Sequence, residues 1–208
     1  MLNLEKNFLK KRILIYGLGK SGLSTYSFLK KSNVISLFDD RIIAKKKIKD
    51  TYTTYKEITK KEFDCIIISP GIDINKCKLS RFLKKNHKKI YTDLDIFYSR
   101  YAFNQKITIT GTNGKSTTAK LLYDILKDQK KDVRLVGNIG NPILLEKKIK
   151  KDTLFVIEAS SYQLEYSKLF KTNISIILNI TPDHLERHKT IDKYVSAKFK
   201  LIKNQSKN

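Results

Sequence analysis

Short apolar runs alternate with stretches of helical period along the 208 residues, and that alternation predicts an architecture before any single residue is considered. In the first half, "RILIYG" (12–17), "VISLF" (34–38), "FDCIIISPG" (63–71) and "KIYT" (89–92) have the length and composition of strands, with a helix expected over roughly 22–31. A second series begins at "ITIT" (107–110) and continues through "VRLVG" (133–137), "LFVIEAS" (154–160) and "ISIILNI" (174–180). Between its first two strands, "STTAKLLYDILKDQK" (116–130) sets Thr117, Leu121, Leu122, Ile125 and Leu126 at helical spacing. Strands that take turns with helices imply parallel sheets, hence an α/β fold. The expectation is a Rossmann-like first domain over 1–104, followed by an incomplete P-loop-type α/β domain over 105–208.

Composition narrows the class. A hydrophobic content of 40% with 10% aromatics suits a folded globular chain, and no apolar run approaches the ~18 residues that would span a bilayer. The N-terminus runs from charged residues into a strand without a secretory apolar segment, so a cytoplasmic location and no membrane partner are expected. Cys65 and Cys77 are too few for a disulfide framework, and Cys65 in "DCIIIS" reads as a buried thiol. The net charge of +23 brings nucleic acid into view. Yet only six of the 43 basic residues are arginine, and lysine is spread along the whole chain. That distribution argues against sequence-specific nucleic-acid recognition, which leans on arginine's bidentate fork. The runs 44–50, 83–89 and 146–152 are expected on solvated faces, where weak attraction of polyanions is the alternative they leave open.

Two glycine loops carry the candidate chemistry. "GLGKSG" (17–22) follows a strand and satisfies the dinucleotide-binding pattern, and Asp39 follows at about the spacing of a ribose-binding acid. Taken alone it suggests an NAD-dependent oxidoreductase, but any diphosphate can use the same turn and helix terminus. "TGTNGKSTT" (110–118) ends like a P-loop, although Ile109 stands where that pattern wants glycine. Gly111, Gly114, Lys115 and Ser116 still provide inward N–H groups, a cation and a hydroxyl for Mg²⁺. Two such loops point to two phosphorylated ligands. Glu158 closes an apolar run, where a carboxylate on the edge of a parallel sheet can reach Mg²⁺. His184 and His188 stand four apart without the further ligands zinc would need, and Lys198 carries no signal by type in so lysine-rich a chain.

Eight stretches in order, "GLGKSGLS" (17–24), "SPGI" (69–72), "TDLDIF" (92–97), "GTNGKSTT" (111–118), "GNIGNP" (137–142), "EASSYQLE" (158–165), "LNITPDHLERH" (178–188) and "YVSAKFKLI" (194–202), together resemble the Mur ligase family. The family's ATP loop reads GTNGKST, so Ile109 is ordinary for this version. The resemblance implies ATP-driven amide formation in peptidoglycan synthesis, with an acyl phosphate as intermediate. In the branch it most resembles, D-glutamate is joined to UDP-N-acetylmuramoyl-L-alanine.

It further implies an ATP loop of Gly111, Thr112, Asn113, Gly114, Lys115, Ser116 and Thr117. Ser116 and Glu158 would hold one Mg²⁺, His184 would serve a second, and Lys198 would be carbamylated by CO₂ to support metal binding. By the same resemblance Ser21, Asp39 and Arg41 lie in the uridine diphosphate site, and Asn138 and Ser160 line the muramoyl-peptide end. Asp40 and Tyr162 depart from the commoner residues, a hydroxyl residue and phenylalanine. Relatives have three domains, so the chain is expected to lack the domain that selects the amino acid and to be inactive alone, as a fragment, as a split product that needs a second chain, or as a degenerate copy.

Overall fold

The computed structural model describes residues 5–41 and 53–205, so the lysine run 44–50 lies outside the described residues. Two compact units, Met1–Arg100 and Tyr101–Asn208, each hold one four-stranded sheet. In the first, β1 (Arg12–Tyr16), β2 (Val34–Phe38), β3 (Cys65–Ile68) and β4 (Ile90–Tyr91) pair in parallel in the order β2-β1-β3-β4. Such strands are covered on both faces, which is why they read as unbroken apolar runs: Ile13, Leu14, Ile15 and Tyr16 are all buried. Helices α1 (Lys20–Leu29), α2 (Tyr55–Lys60), α3 (Ser80–Lys85) and α4 (Asp93–Arg100) join or follow these strands. A capping box starts α2, with the Glu57 N–H and carboxylate exchanging bonds with Thr54.

The second sheet comprises β5 (Lys106–Thr110), β6 (Val133–Gly137), β7 (Leu154–Glu158) and β8 (Ile174–Ile177), parallel in the order β6-β7-β5-β8. Helix α5 (Lys115–Asp128) packs Ala119, Leu122, Tyr123 and Leu126 toward Ile109, Val133 and Val156. The predicted apolar face is thereby corrected by one row: Leu121 and Ile125 are more than half exposed, because the i, i+3, i+4, i+7 stripe that meets the sheet begins at Ala119. Helices α6 (Ser161–Tyr166), α7 (Leu185–His188) and α8 (Ile191–Lys203) complete the unit. The described lysine runs behave as expected, with Lys84, Lys85, Lys88, Lys89, Lys147, Lys148, Lys150 and Lys151 exposed.

Two buried polar residues at the start of β5 gave no sequence signal. Asn104 Nδ2 donates to the carbonyls of Lys150 (2.8 Å) and Thr153 (3.0 Å), and Lys106 Nζ donates to the carbonyls of Ala102 (3.0 Å) and Asn104. Burial lowers the Lys106 amine to about 8. Asn104→Ala is expected to cost about 2 kcal/mol, since buried carbonyls lose their donor, and urea unfolding of the variant measures it.

Candidate functional site

In the first unit the loops after β1, β2 and β3 meet at the C-terminal edge of the sheet, where open α/β folds receive ligands. They enclose about 400 Å³ between the glycine loop from Gly17, Asp39–Arg41 and Ser69–Ile72. The glycine loop is very tight: a Cβ on Gly22 would stand 1.8 Å from the Gly17 carbonyl oxygen. Ser69 Oγ donates to that same carbonyl at 2.7 Å. Helix α1 has no side-chain cap at Gly19, so its first N–H groups keep their capacity for an anion.

Asp39 accepts from the Leu18 N–H at 2.6 Å through one oxygen and from the Arg41 N–H at 2.8 Å through the other. It ties the first and second loops together. Asp40 accepts from the buried Tyr16 hydroxyl at 2.7 Å, and Lys78 Nζ donates to its carbonyl at 3.0 Å. Ser21 lines the cavity, as does Arg41.

In the second unit β5 ends at Thr110, and α5 begins one residue past Gly114, whose φ of +80° suits glycine. Here too no side chain caps the helix. Register does the rest of the positioning. Glu158, the last residue of β7, stands opposite Ile109 of β5 and Gly137 of β6, so its carboxylate lies beside the loop. Ser116 Oγ donates to one Glu158 oxygen and Asn138 Nδ2 to the other, both at 2.8 Å. Lys115 Nζ turns back to the Thr112 carbonyl at 2.7 Å.

Lys198, on α8, is 1% exposed and donates from Nζ to the Gly111 carbonyl at 2.7 Å, with the Tyr194 ring 4.5 Å away. Burial first, and the Lys115 charge second, bring its amine down to about 8.

The loop is held from outside by residues that sequence reasoning quoted but did not assign. Asn179 Oδ1 accepts from the N–H groups of Thr112 (3.2 Å) and Asn113 (2.9 Å), while Tyr194 and Thr112 share a hydroxyl hydrogen bond of 3.0 Å. Their signal was the motif that contains each of them.

Ser160 caps α6 in a box with Gln163, and His188 Nε2 meets Ser161 Oγ at 3.0 Å in the core. His184 occupies a left-handed position at the start of α7, half exposed, with its ring 4.8 Å from Tyr162 and its nitrogens 3.4 Å from an Asp183 carboxylate oxygen and 3.7 Å from one of Glu186. Thus three hydrogen-bonded sets gather at the loop: Ser116, Glu158 and Asn138; Lys115, Thr112 and Asn113, the last two through Asn179; and Lys198 with Gly111. The contacts of Ser160 and His184 run to other partners, and Thr117 is exposed on α5.

A hydroxyl and a carboxylate 2.8 Å apart suit a hard cation that completes its shell with phosphate oxygens and water. Among the described residues no group of three or more His, Cys, Asp or Glu gathers as a metal cage. The donor set thus fits Mg²⁺ carried with a nucleotide better than a resident transition metal.

A model of the Mur ligase middle domain matches residues 109–208, and one of the Mur ligase MurD-like N-terminal domain matches residues 11–90. The chain belongs to the Mur ligase family. It is similar to the UDP-N-acetylmuramoylalanine--D-glutamate ligases of Rickettsia bellii (35% identity over 204 residues), Caldicellulosiruptor bescii (37% over 211) and Wolbachia pipientis (38% over 209). These alignments cover 96%, 93% and 97% of this chain but 45%, 45% and 40% of the relatives, so the chain spans less than half their length. A solved structure, the UDP-N-acetylmuramate:L-alanyl-gamma-D-glutamyl-meso-diaminopimelate ligase from Neisseria meningitides, shares the fold with a TM-score of 0.59 at 13% identity. That match covers 96% of this chain and 69% of the other. Among the described residues no helix is long and apolar enough to cross a membrane.

Proposed function

We propose that the chain carries the uridine-nucleotide and ATP-phosphate sites of a ligase that joins D-glutamate to UDP-N-acetylmuramoyl-L-alanine. The first unit takes the nucleotide substrate and the second the ATP. The observation that carries this reading is the convergence of Lys115, Lys198, Ser116 and the buried Glu158 on one uncapped glycine loop. Lys115 is suited to follow the β- and γ-phosphates, and the N–H groups of the first turn of α5 to hold their oxygens. Ser116 and Glu158 would hold Mg²⁺, which when bound neutralises charge on the transferred phosphoryl group. His184 serves the second metal, and Asn138 and Ser160 the muramoyl-peptide end. Completing amide formation draws on parts of the relatives' length outside these 208 residues, whether in the same polypeptide or a second one.

Both Asp39 oxygens already serve backbone N–H groups, which favours a uridine diphosphate over a nicotinamide dinucleotide held through its ribose. Calorimetric titration of the chain with UDP-N-acetylmuramoyl-L-alanine, with NADH as control, tests the point. Binding of NADH alone would replace the ligase reading by an oxidoreductase one.

Lys198 is the residue we assign to carbamylation. An amine brought down to about 8 has a substantial neutral fraction near that pH, and only the neutral form attacks CO₂. The neutral amine forms an N–C bond to CO₂ and releases one proton; counted from the ammonium form two protons leave, and a buried cation becomes an anion beside the metal site. With labelled bicarbonate, a carbamate NMR signal is expected that grows as pH rises through about 8 and is absent from Lys198→Ala. An unmodified amine at high pH would sink the assignment.

A further inference from the structure

Among the described residues two buried side-chain atoms have no hydrogen-bond partner, Arg187 Nη2 and Thr110 Oγ1. Arg187 Nη2 still faces a Glu165 carboxylate oxygen at 3.1 Å. Thr110 is the last residue of β5 and fully buried, and a hydroxyl left unpaired in such a place is destabilising. Valine would fill nearly the same volume without that penalty.

The register of β5 and β8 shows which way Thr110 faces. Thr108 stands opposite Ser175 and Thr110 opposite Ile177, so alternation along the strands puts these four residues on one face of the sheet. Ser175 Oγ donates to the Leu201 carbonyl at 3.2 Å, which identifies this as the face that α8 covers with its buried stripe Tyr194, Ala197, Lys198 and Leu201. One turn before Leu201, Lys198 Nζ reaches the carbonyl of Gly111, the residue that follows Thr110. The orphaned hydroxyl and the buried amine thus lie at the same end of β5, beneath the same helix.

A carbamate on Lys198 would be a buried anion in need of donors. The other groups nearby are already committed. Asn179 engages the N–H groups of Thr112 and Asn113, the Thr112 hydroxyl is shared with Tyr194 and Thr181, and Ser116 Oγ gives its proton to Glu158. The Gly111 carbonyl only accepts. Thr110 still has a proton to give.

We propose that Thr110 is a positioning residue whose hydroxyl donates to an oxygen of the Lys198 carbamate and so selects for the modified lysine. The inference rests on the assignment of Lys198 to carbamylation. In the unmodified chain the amine sits on the Gly111 carbonyl, 4.5 Å from the Tyr194 ring, and the hydroxyl is unpaired. Once the neutral amine has formed its N–C bond to CO₂ and lost one proton, that hydroxyl gains an anionic acceptor. A hydrogen bond to a charged group corresponds to about ten- to a hundredfold in an equilibrium constant.

The test titrates ¹³C-bicarbonate into the chain at one fixed pH and follows the carbamate NMR signal that is absent from Lys198→Ala. Half-saturation of Thr110→Val should need about ten- to a hundredfold more bicarbonate than wild type, whereas Thr110→Ser, which keeps the hydroxyl, should stay within about threefold of wild type. In CO₂-free buffer Thr110→Val should melt no lower than wild type, because the hydroxyl it removes has no partner there. Equal carbamate affinity in wild type and Thr110→Val overturns the inference and leaves the carbamylation reading intact. So does a Thr110→Ser chain no better than the valine variant, or a Thr110→Val chain that melts well below wild type without CO₂, which would mean that the hydroxyl is already engaged. Absence of the signal from wild type removes both.

Discussion

Lys115→Ala is expected to lower the affinity of the chain for Mg²⁺-ATP by about a hundredfold or more, the scale of a lost charged contact to phosphate. Its Nζ rests on the Thr112 carbonyl at 2.7 Å, a contact within the loop that a phosphate oxygen can replace without moving the helix. The fold should survive, because the side chain is half-buried and bonds only to the loop it belongs to. Removing Lys115 also removes a charge that holds the Lys198 amine down, so that amine should titrate higher in the variant. Equilibrium binding of a fluorescent ATP analogue reads the first effect and NMR titration of Lys198 the second. Unchanged ATP affinity in a folded variant would take the ATP assignment off this loop.

Gly22→Ala should abolish uridine-nucleotide binding and destabilise the first unit by about 3 kcal/mol or more, the range of severe overpacking. The added methyl would stand 1.8 Å from the Gly17 carbonyl oxygen, and that carbonyl is also fixed by Ser69 Oγ, so neither side can yield cheaply. Relief requires α1 to move away from β1, which opens the loop. ATP binding in the second unit should persist. Near-UV dichroism and calorimetric titration of the variant with UDP-N-acetylmuramoyl-L-alanine and with Mg²⁺-ATP would check the pattern. A stable variant that still binds the muramoyl nucleotide would contradict it.

The strands were legible because parallel sheets covered on both faces leave continuous apolar runs. Those at 34–38 and 133–137 coincide with β2 and β6, whereas the extended ends of 63–71 and 174–180 are loops beyond β3 and β8. The glycine loops were legible because backbone geometry constrains residue type. What stayed hidden depends on contacts distant in sequence. Asn104 and Lys106 carry no signal of burial in the sequence, because it is the turn before β5 and the 150–153 segment that supply their hydrogen-bond partners. Lys198 is one lysine among many until α8 brings it to Gly111.

The ties on the phosphate loop reach far along the chain: Asn179 lies 67 residues from Thr112, Tyr194 lies 82 from it, and Lys198 lies 87 from Gly111. A nascent polypeptide emerging from the ribosome would therefore have synthesised the whole GTNGKST segment long before the residues that clamp it. Competence for nucleotide should arrive late in folding, after β8 and α8 dock, and should be the first property lost when they fray.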